Sequence, residues 1–159
     1  MFIALLPDEG VRDEFATWRD RWSWPRSATL VKSTRLHMTV HFLGDVPLAQ
    51  IPDLNAPVTP FSLHFGRAAL WPHGIAVLEP EAVPAPLVAL HAALAANLRS
   101  AGLPVDERAL RAHVTLARRA NGALAPEAAP QVVWNIDRYH LMSSAQDADG
   151  AYTTLRTYG

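Results

Sequence analysis

The stretch Leu36-His37-Met38-Thr39-Val40-His41-Phe42-Leu43 alternates apolar and polar side chains, and Leu110-Arg111-Ala112-His113-Val114-Thr115-Leu116-Ala117 repeats the pattern. Alternation of this kind predicts β-strands, in which successive side chains point to opposite faces. The apolar residues of each stretch, Phe42 included, are then expected on a core face. The opposite faces carry two His-x-Thr triplets: His37 and Thr39 in the first, His113 and Thr115 in the second. A repeated triplet on the face away from the core predicts the lining of a cleft.

Composition limits the remaining possibilities. The chain has 159 residues, enough for one domain or two small lobes with a sizeable core, and its 14 basic and 15 acidic residues nearly balance. A broad electrostatic grip on nucleic acid is therefore not expected. The lack of cysteine excludes disulfides, thiolate nucleophiles and Cys-ligated zinc, and is typical of a cytoplasmic protein. The apolar run at residues 2–6 is too short for a signal peptide or a membrane span, so we expect a buried strand there and no membrane partner.

Two helices are expected. Asp8 is a good N-cap, and Val11, Phe15, Trp18 and Trp22 follow at helical spacing, with Trp24-Pro25 as the expected end. The second helix is indicated by a stripe of leucines that begins after a proline-rich stop and ends before Gly102: Leu87, Leu90, Leu94 and Leu98. The proline-dense segment 47–60 argues against a continuous helix and allows at most a short turn.

Further strands are predicted at 61–65, 75–78, roughly 132–143 and 152–158, with a turn at 147–150 between the last two. The order helix, connection, His-x-Thr strand occurs in both halves of the chain. This repetition indicates a loose internal duplication, in which two similar lobes face each other.

The paired triplets suit acid–base chemistry. A neutral imidazole can accept a proton while a protonated one donates, because the pKa of histidine lies near ~6.5. Cleavage of a phosphoester needs both transfers, and a threonine hydroxyl on the same face can donate to a phosphate oxygen. No metal is required for this scheme. A single His-x-Thr triplet is weak evidence, since most strand histidines are structural, whereas two matching copies favour function.

His37 and His41 are four residues apart, the spacing of a zinc-protease motif on a helix. Met38 stands where that motif needs glutamate, and in a strand the two histidines lie about 13 Å apart, so we reject the zinc site. His41 either lines the outer end of the cleft or is solvated. The other histidines share no spacing and receive no role: His64, His73, His91 and His140.

The residues resemble the two-histidine phosphoesterase superfamily, and within it the RNA 2′,3′-cyclic phosphodiesterases, also called 2′-5′ RNA ligases. The resemblance covers nearly the whole chain. It rests mainly on residues 36–44, with the trailing Phe-Leu-Gly, and residues 113–118, with the trailing Leu-Ala-Arg. The opening Phe2-Ile3-Ala4-Leu5, the closing residues 141–144 and Tyr152 are similar as well.

The resemblance implies a bilobal α+β fold over residues 1–159, with two antiparallel sheets related by pseudo-twofold symmetry about a central cleft and helices outside. It implies hydrolysis of an RNA or nucleotide 2′,3′-cyclic phosphate to a 2′-phosphomonoester, and reversible, ATP-independent 2′-5′ ligation, without a cofactor or an obligate protein partner. His37 would be the acid and His113 the base, although near-equivalent lobes leave these roles exchangeable. The implied phosphate or substrate ligands are Thr39, Thr115, Arg118, His41 and Tyr152.

Arg118 conflicts with simple alternation, because five residues after His113 it would point to the core, where a lone guanidinium is costly. We therefore expect the strand to end or bulge near Ala117 and to turn Arg118 into the cleft. The alternative is that Arg118 snorkels at the rim of the sheet.

The chain departs from the family pattern at the segment 47–60, at Leu30, where an aromatic is common, and at Ala112, where proline is common. These departures affect the wall of the cleft and hence substrate preference.

Two other functions stay open: a binding module that holds a nucleotide or RNA end without cleaving it, and an enzyme for another cyclic phosphodiester. Trp71 and Tyr152 are candidate stacking residues, whereas Phe42, expected on the core face, is a poor one.

Overall fold

The structure is a computed structural model that describes residues 1–106, 108–146 and 150–159. Its strands are β1 (Phe2–Leu5), β2 (Thr29–Leu30), β3 (Met38–Phe42), β4 (Phe61–Trp71), β5 (Ile75–Pro80), β6 (Val114–Arg118), β7 (Val132–Ile136), β8 (Tyr139–Gln146) and β9 (Tyr152–Tyr158). Its helices are α1 (Glu9–Asp20) and α2 (Ala85–Ser100). Within the described ranges, neither helix is long and apolar enough to cross a membrane. The turn predicted at 147–150 lies, for its first three residues, outside the described residues.

The strands form two antiparallel sheets. One has the order β3-β1-β8-β9 and the other the order β2-β6-β5-β4-β7. Each His-x-Thr strand pairs with the strand that precedes the helix of its own half, β3 with β1 and β6 with β5. The predicted bilobal α+β fold with a repeated arrangement is thereby confirmed.

Helix α1 packs on the five-stranded sheet. The Asp8 side chain accepts a hydrogen bond from the Val11 N–H at 2.9 Å and caps the helix as predicted. Phe15 is fully buried, and its ring meets those of Phe65 and Trp134 edge-on at centroid distances of 5.0 and 5.9 Å. Edge-to-face contacts of this kind add to the free energy gained by burial alone.

The predicted end of this helix at Trp24-Pro25 is wrong. The helix ends at Asp20, where Arg21 serves as its C-cap. Trp22, expected on the helical stripe, lies beyond the helix and is nevertheless buried, with its ring stacked on that of Trp24 at 4.8 Å. A buried tryptophan at the right spacing thus extended the apolar pattern past the last helical turn.

Helix α2 matches its prediction. Its four stripe leucines are each at most 2% exposed: Leu87, Leu90, Leu94 and Leu98. The helix ends at Ser100 and is closed by Gly102, whose φ of 70° only glycine adopts readily and whose N–H donates to the Arg99 carbonyl at 2.9 Å. Helix α2 lies against β3, so it carries side chains to the edge of the first sheet.

The proline-dense segment 47–60 is irregular except for one 3₁₀ turn at Leu48–Gln50, as predicted. The segment nevertheless contributes to the core, because Leu54 is fully buried. The backbone N–H of Ala56 donates to the hydroxyl of Tyr139 at 3.1 Å, which ties the segment to β8.

The single strand predicted at roughly 132–143 is wrong, since the chain changes sheets within it. Strand β7 pairs with β4 in the five-stranded sheet, and β8 pairs with β1 in the other. The buried positions change from even to odd numbers where the chain passes from one sheet to the other. Trp134 and Ile136 are buried before this point, and Tyr139 and Leu141 are buried after it. This change from even to odd positions was visible in the sequence as a broken alternation.

The two His-x-Thr strands are shorter than predicted, and His37 and His113 each stand immediately before the first strand residue. Each strand contains one bulge, at which a residue has no counterpart on the neighbouring strand. Ile3 and Ala4 of β1 face His41 and Thr39, which leaves Val40 as the extra residue. Ala76 and Val77 of β5 face Ala117 and Thr115, which leaves Leu116 as the extra residue.

Candidate active site

His37 and His113 line one small cavity of about 130 Å³. The first sheet contributes its His-x-Thr pair and a tyrosine from β9, and the second contributes its own pair and the arginine that ends β6. The full lining is Val31, Arg35, His37, Thr39, His113, Thr115, Arg118 and Tyr152. The sequence-predicted site residues are thus brought together between the sheets, with the exception of His41.

Both histidines are oriented in the same way by the backbone. Nδ1 of His37 lies 2.6 Å from the Arg35 carbonyl oxygen, and Nδ1 of His113 lies 2.6 Å from the Arg111 carbonyl oxygen. A carbonyl oxygen can only accept, so Nδ1 carries hydrogen in each ring, and in the neutral ring Nε2 keeps its lone pair. Nε2 of His37 lies 3.0 Å from the Thr39 hydroxyl oxygen. Nε2 is therefore the nitrogen of each ring that can exchange a proton with a bound substrate.

These carbonyls extend the repeated motif by two residues. Arg35 and Arg111 both stand two positions before a motif histidine, so the repeat reads Arg-x-His-x-Thr in both halves. Arg35 was not predicted as a site residue, because the segment before the first motif reads as a polar connection. A residue-by-residue alignment of the two stretches, with His37 placed on His113, would have identified Arg35 as the counterpart of Arg111.

Each motif arginine lies over an aromatic ring that also touches its histidine. On the first side, the Arg35 guanidinium is 5.6 Å from the Tyr152 ring centroid, and Tyr152 meets His37 edge-on at 5.6 Å. On the second side, the Arg111 guanidinium is 3.7 Å from the Trp71 centroid, and Trp71 lies 4.4 Å from the His113 ring. These contacts restrict the orientation of both imidazoles and cover part of each from water.

The second side has an additional carboxylate, Glu79, which was not predicted from the sequence. Its oxygen Oε1 accepts from Trp71 Nε1 at 3.1 Å and from Arg111 Nε at 3.1 Å. The Glu79 side chain is only 14% exposed, so its pair with Arg111 is partly shielded from water. Glu79 therefore fixes both groups that surround His113, and no spacing rule connects these three positions in the sequence.

Burial lowers the pKa of both motif histidines. For the pKa of His37, desolvation is the largest cause, the hydrogen bond to the Arg35 carbonyl opposes it, and the positive charges of His113 and Arg118 add to it. For the pKa of His113, desolvation is again the largest cause, and the hydrogen bond to the Arg111 carbonyl opposes it. The charges of Arg111 and Arg118 lower this pKa, and the charge of Glu79 raises it. Both rings are thereby biased toward the neutral form, and the negative charge of a bound phosphate would oppose that bias.

Arg118 reaches this cavity through the bulge predicted for its strand. With Leu116 as the extra residue, Leu116 and Ala117 are both fully buried, and Arg118 is exposed on the side of His113 and Thr115. The predicted irregularity is confirmed, and Arg118 lines the cavity instead of snorkelling at a rim. In the part of the chain that the structure describes, no carboxylate pairs with Arg118.

A bulge of the same kind makes the prediction for Phe42 wrong, since Phe42 was expected on the core face. The bulge at Val40 leaves Val40 and His41 buried and turns Phe42 outward, where it is 63% exposed. The burial patterns of β3 and β6 are identical residue by residue. The alternating pattern could not predict this bulge, because an apolar residue at position 42 is consistent with a regular strand. The charge of Arg118 is not consistent with a regular strand, and so it indicated the bulge in β6.

His41 is buried, so the solvated alternative is wrong. The residue is only 2% exposed, its Nε2 donates to the His91 carbonyl oxygen at 2.9 Å, and the two rings stack at 4.2 Å. It lines a second cavity of about 490 Å³ that adjoins the first and also includes Thr39 and His113. His41 thus belongs to the wall of this neighbouring cavity.

A third cavity, of about 220 Å³, adjoins the site and shares Arg35, His37 and Tyr152 with it. A larger cavity of about 810 Å³, with Asp8, Arg12 and Trp134 in its wall, contains none of the predicted site residues. Among the described residues, no group of three or more His, Cys, Asp or Glu side chains is placed to hold a metal ion.

Comparison with known structures gives similar folds over almost the whole chain. A structure described as a phosphoesterase has a TM-score of 0.86 at 22% identity, covering 99% of this chain and 95% of the other. E. coli LigT in complex with 3′-AMP has a TM-score of 0.83 at 22% identity, with 99% and 95% covered. TT0787 of Thermus thermophilus has a TM-score of 0.78 at 24% identity, again with 99% and 95% covered.

A comparison with curated protein sequences found no match. The model of one protein family does match, and the matched residues include both His-x-Thr motifs and the strands from β2 to β8. The chain belongs to the 2′-5′ RNA ligase superfamily, whose model matches residues 7–148.

Proposed function

We propose that the protein hydrolyses 2′,3′-cyclic phosphates on nucleotides or RNA ends to 2′-phosphomonoesters, with His37 and His113 as general acid and base. Membership of the 2′-5′ RNA ligase superfamily supports phosphodiester chemistry in general. The observation that carries the finer proposal is the pair of histidines in one 130 Å³ cavity, each with Nδ1 held by a carbonyl and Nε2 left for proton exchange.

The reaction needs one proton removed and one delivered. Neutral His113 accepts a proton at Nε2 from the water whose oxygen attacks phosphorus, and the bond from phosphorus to the 3′ oxygen breaks. Protonated His37 then donates to the departing 3′ oxygen, which leaves a 3′-hydroxyl and a 2′-phosphate. The opposite assignment of the two rings is chemically equivalent, so an experiment has to separate them.

Stabilisation of the transition state falls to the neighbouring side chains. Thr39 and Thr115 carry hydroxyl donors beside the two rings, and Arg118 adds a cation that no described carboxylate neutralises. Donors aimed at oxygen atoms on which charge develops are worth several kcal/mol in a site shielded from water. All three would hold the non-bridging oxygens of the phosphate.

Nucleotides are the ligands in several of the similar structures. The similar structures include E. coli LigT in complex with 3′-AMP, with ATP and with NADP⁺. If the 5′-hydroxyl of a second RNA replaces water as the attacking group, the same proton transfers form a 2′-5′ phosphodiester. Hydrolysis and ATP-independent ligation are therefore two outcomes of one site.

The test is to incubate the purified protein with a 2′,3′-cyclic nucleotide and to identify the product by ³¹P NMR. We expect the 2′-monophosphate, because the bond that breaks is the one to the 3′ oxygen. Release of the 3′-monophosphate would contradict the proposal. Tight binding of the cyclic nucleotide without turnover would favour the binding module, and turnover of a different cyclic phosphodiester alone would favour the other enzyme.

A further inference from the structure

Two cavities flank the 130 Å³ cavity, one on the side of each histidine. The cavity of about 490 Å³ includes His113 but not His37, and the cavity of about 220 Å³ includes His37 but not His113. The oxygen that attacks phosphorus and the oxygen that leaves lie roughly in line, on opposite sides of the phosphorus. With His113 as the base and His37 as the acid, the attacking group enters on the side of His113. The ribose carries the departing 3′ oxygen, so the RNA strand attached to it extends on the side of the 220 Å³ cavity.

The two flanking cavities differ in charge. In the wall of the 490 Å³ cavity each arginine is paired with a carboxylate, Arg111 with Glu79 and Arg108 with Asp106. The described residues in the wall of the 220 Å³ cavity include no carboxylate. They do include two cations and three hydroxyl groups: Arg12, Arg35, Thr34, Tyr152 and Thr154. The side of His37 is therefore the one that attracts an anion.

The charge of Arg12 contributes little to the fold. Arg12 lies at the end of the first turn of α1, where a positive charge opposes the helix dipole. Its guanidinium donates to the Pro7 carbonyl at 3.4 Å, and no carboxylate among the described residues pairs with it. A half-buried guanidinium without a counter-ion is placed to bind an anion that comes from outside the protein.

We propose that the 220 Å³ cavity binds the phosphate that links the terminal nucleotide of an RNA to the nucleotide before it, and that Arg12 is a ligand of this phosphate. This inference rests on the proposed function and narrows its substrate to RNA ends of two or more nucleotides. The volume lies below the range of about 300–1,000 Å³ for whole organic ligands, so the cavity suits a single phosphate group. Arg12 also lines the 810 Å³ cavity, which leaves room for the preceding nucleotide.

The experiment compares two dinucleotides that end in the same 2′,3′-cyclic phosphate and differ only in the linkage between the nucleotides. One linkage is a phosphodiester, which carries a negative charge, and the other is a methylphosphonate, which is neutral. The wild-type protein is expected to prefer the phosphodiester in kcat/KM by about 10- to 150-fold, the factor that corresponds to one hydrogen bond between charged groups.

Arg12→Ala is expected to remove most of this preference, by lowering kcat/KM for the charged dinucleotide toward the value for the neutral one. Arg12→Gln should do the same, and it keeps the apolar stem of the side chain in case the alanine variant folds poorly. Arg12→Lys should keep part of the preference, because it keeps the charge but not the two parallel donors.

Arg21→Ala is the matched control, because Arg21 is exposed at the other end of α1 and lines neither the 220 Å³ nor the 810 Å³ cavity. It removes the same charge and should keep the wild-type preference. Equal turnover of the two dinucleotides by the wild type would overturn the inference. An Arg12→Gln variant that keeps the preference, or that loses the same factor on both substrates, would also overturn it. If the wild type turns over neither dinucleotide, the proposed function fails instead, so the two failures are distinguishable.

Discussion

Phe42 and Arg118 occupy corresponding positions in the two halves of the protein. Each lies five residues after a motif histidine and two residues after a bulge, at Val40 in β3 and at Leu116 in β6. The duplicated strand therefore places different chemistry at equivalent points. One half presents a cation to the cavity with the histidines, and the other presents an aromatic ring to the neighbouring cavity.

Arg118→Ala is expected to lower kcat on a 2′,3′-cyclic nucleotide by on the order of 10²–10³, the usual loss when one donor to a developing oxyanion is removed. Arg118→Lys should recover only part of the rate, because a lysine cannot present two parallel donors. Steady-state kinetics measures both. Arg21→Ala is the matched control, since Arg21 is exposed at the end of α1, and a rate of Arg118→Ala equal to that of this control would contradict the assignment.

The pH profile gives a second readout on Arg118. Its positive charge lowers the pKa of both His37 and His113. Removal of the charge should raise both pKa values, so the acidic and the basic limbs of the kcat/KM profile should both move to higher pH. A profile that keeps its position while the rate falls would show that Arg118 acts without an electrostatic effect on the histidines.

Glu79→Gln should show which of the two histidines is the base and which is the acid. The carboxylate raises the pKa of His113 but is not among the influences on His37, so its loss should lower the pKa of His113 alone. With His113 as the base, the acidic limb of the profile should move to lower pH while the basic limb stays. Movement of the basic limb instead would assign His113 as the acid and reverse the proposed roles.

Acid should destabilise the fold. Burial lowers the pKa of His41 and His91 below the ordinary value of 6.5. In acid the unfolded chain therefore binds more protons than the folded chain. The contribution of these two residues to the free energy of unfolding is fully present above about pH 6.5, and it is lost as the pH falls toward their pKa values in the folded protein. Thermal melts at decreasing pH should show a falling Tm, and His41→Phe should make the fall less steep. An equal slope in the variant would contradict this prediction.

A chelator should leave the activity unchanged, because two imidazoles supply both proton transfers and Arg118 supplies a positive charge. The measurement is the rate on a cyclic nucleotide after dialysis against EDTA, compared with a mock-dialysed sample. Loss of activity that added metal restores would contradict the acid–base scheme.

The His-x-Thr pairs and the leucine stripe of α2 could be predicted because each is a local pattern that repeats. Arg118 could be predicted because its charge conflicts with a core position, whereas Phe42 could not, because an apolar side chain satisfies alternation whether or not the strand bulges. Glu79 could not be found from spacing, since it meets Trp71 and Arg111 only after β4, β5 and the segment before β6 have come together. Long-range pairing of this kind leaves no periodic signal in the sequence.

The most direct test of the acid–base assignment is turnover of a 2′,3′-cyclic nucleotide by His37→Ala and His113→Ala. His64→Ala serves as the control, because His64 is an exposed histidine on β4 outside both cavities. Each motif variant should lose on the order of 10²–10⁴ in kcat, and the double variant should lose much less than the product of the single losses. All variants should remain folded by circular dichroism. Full activity in either folded motif variant would contradict the account.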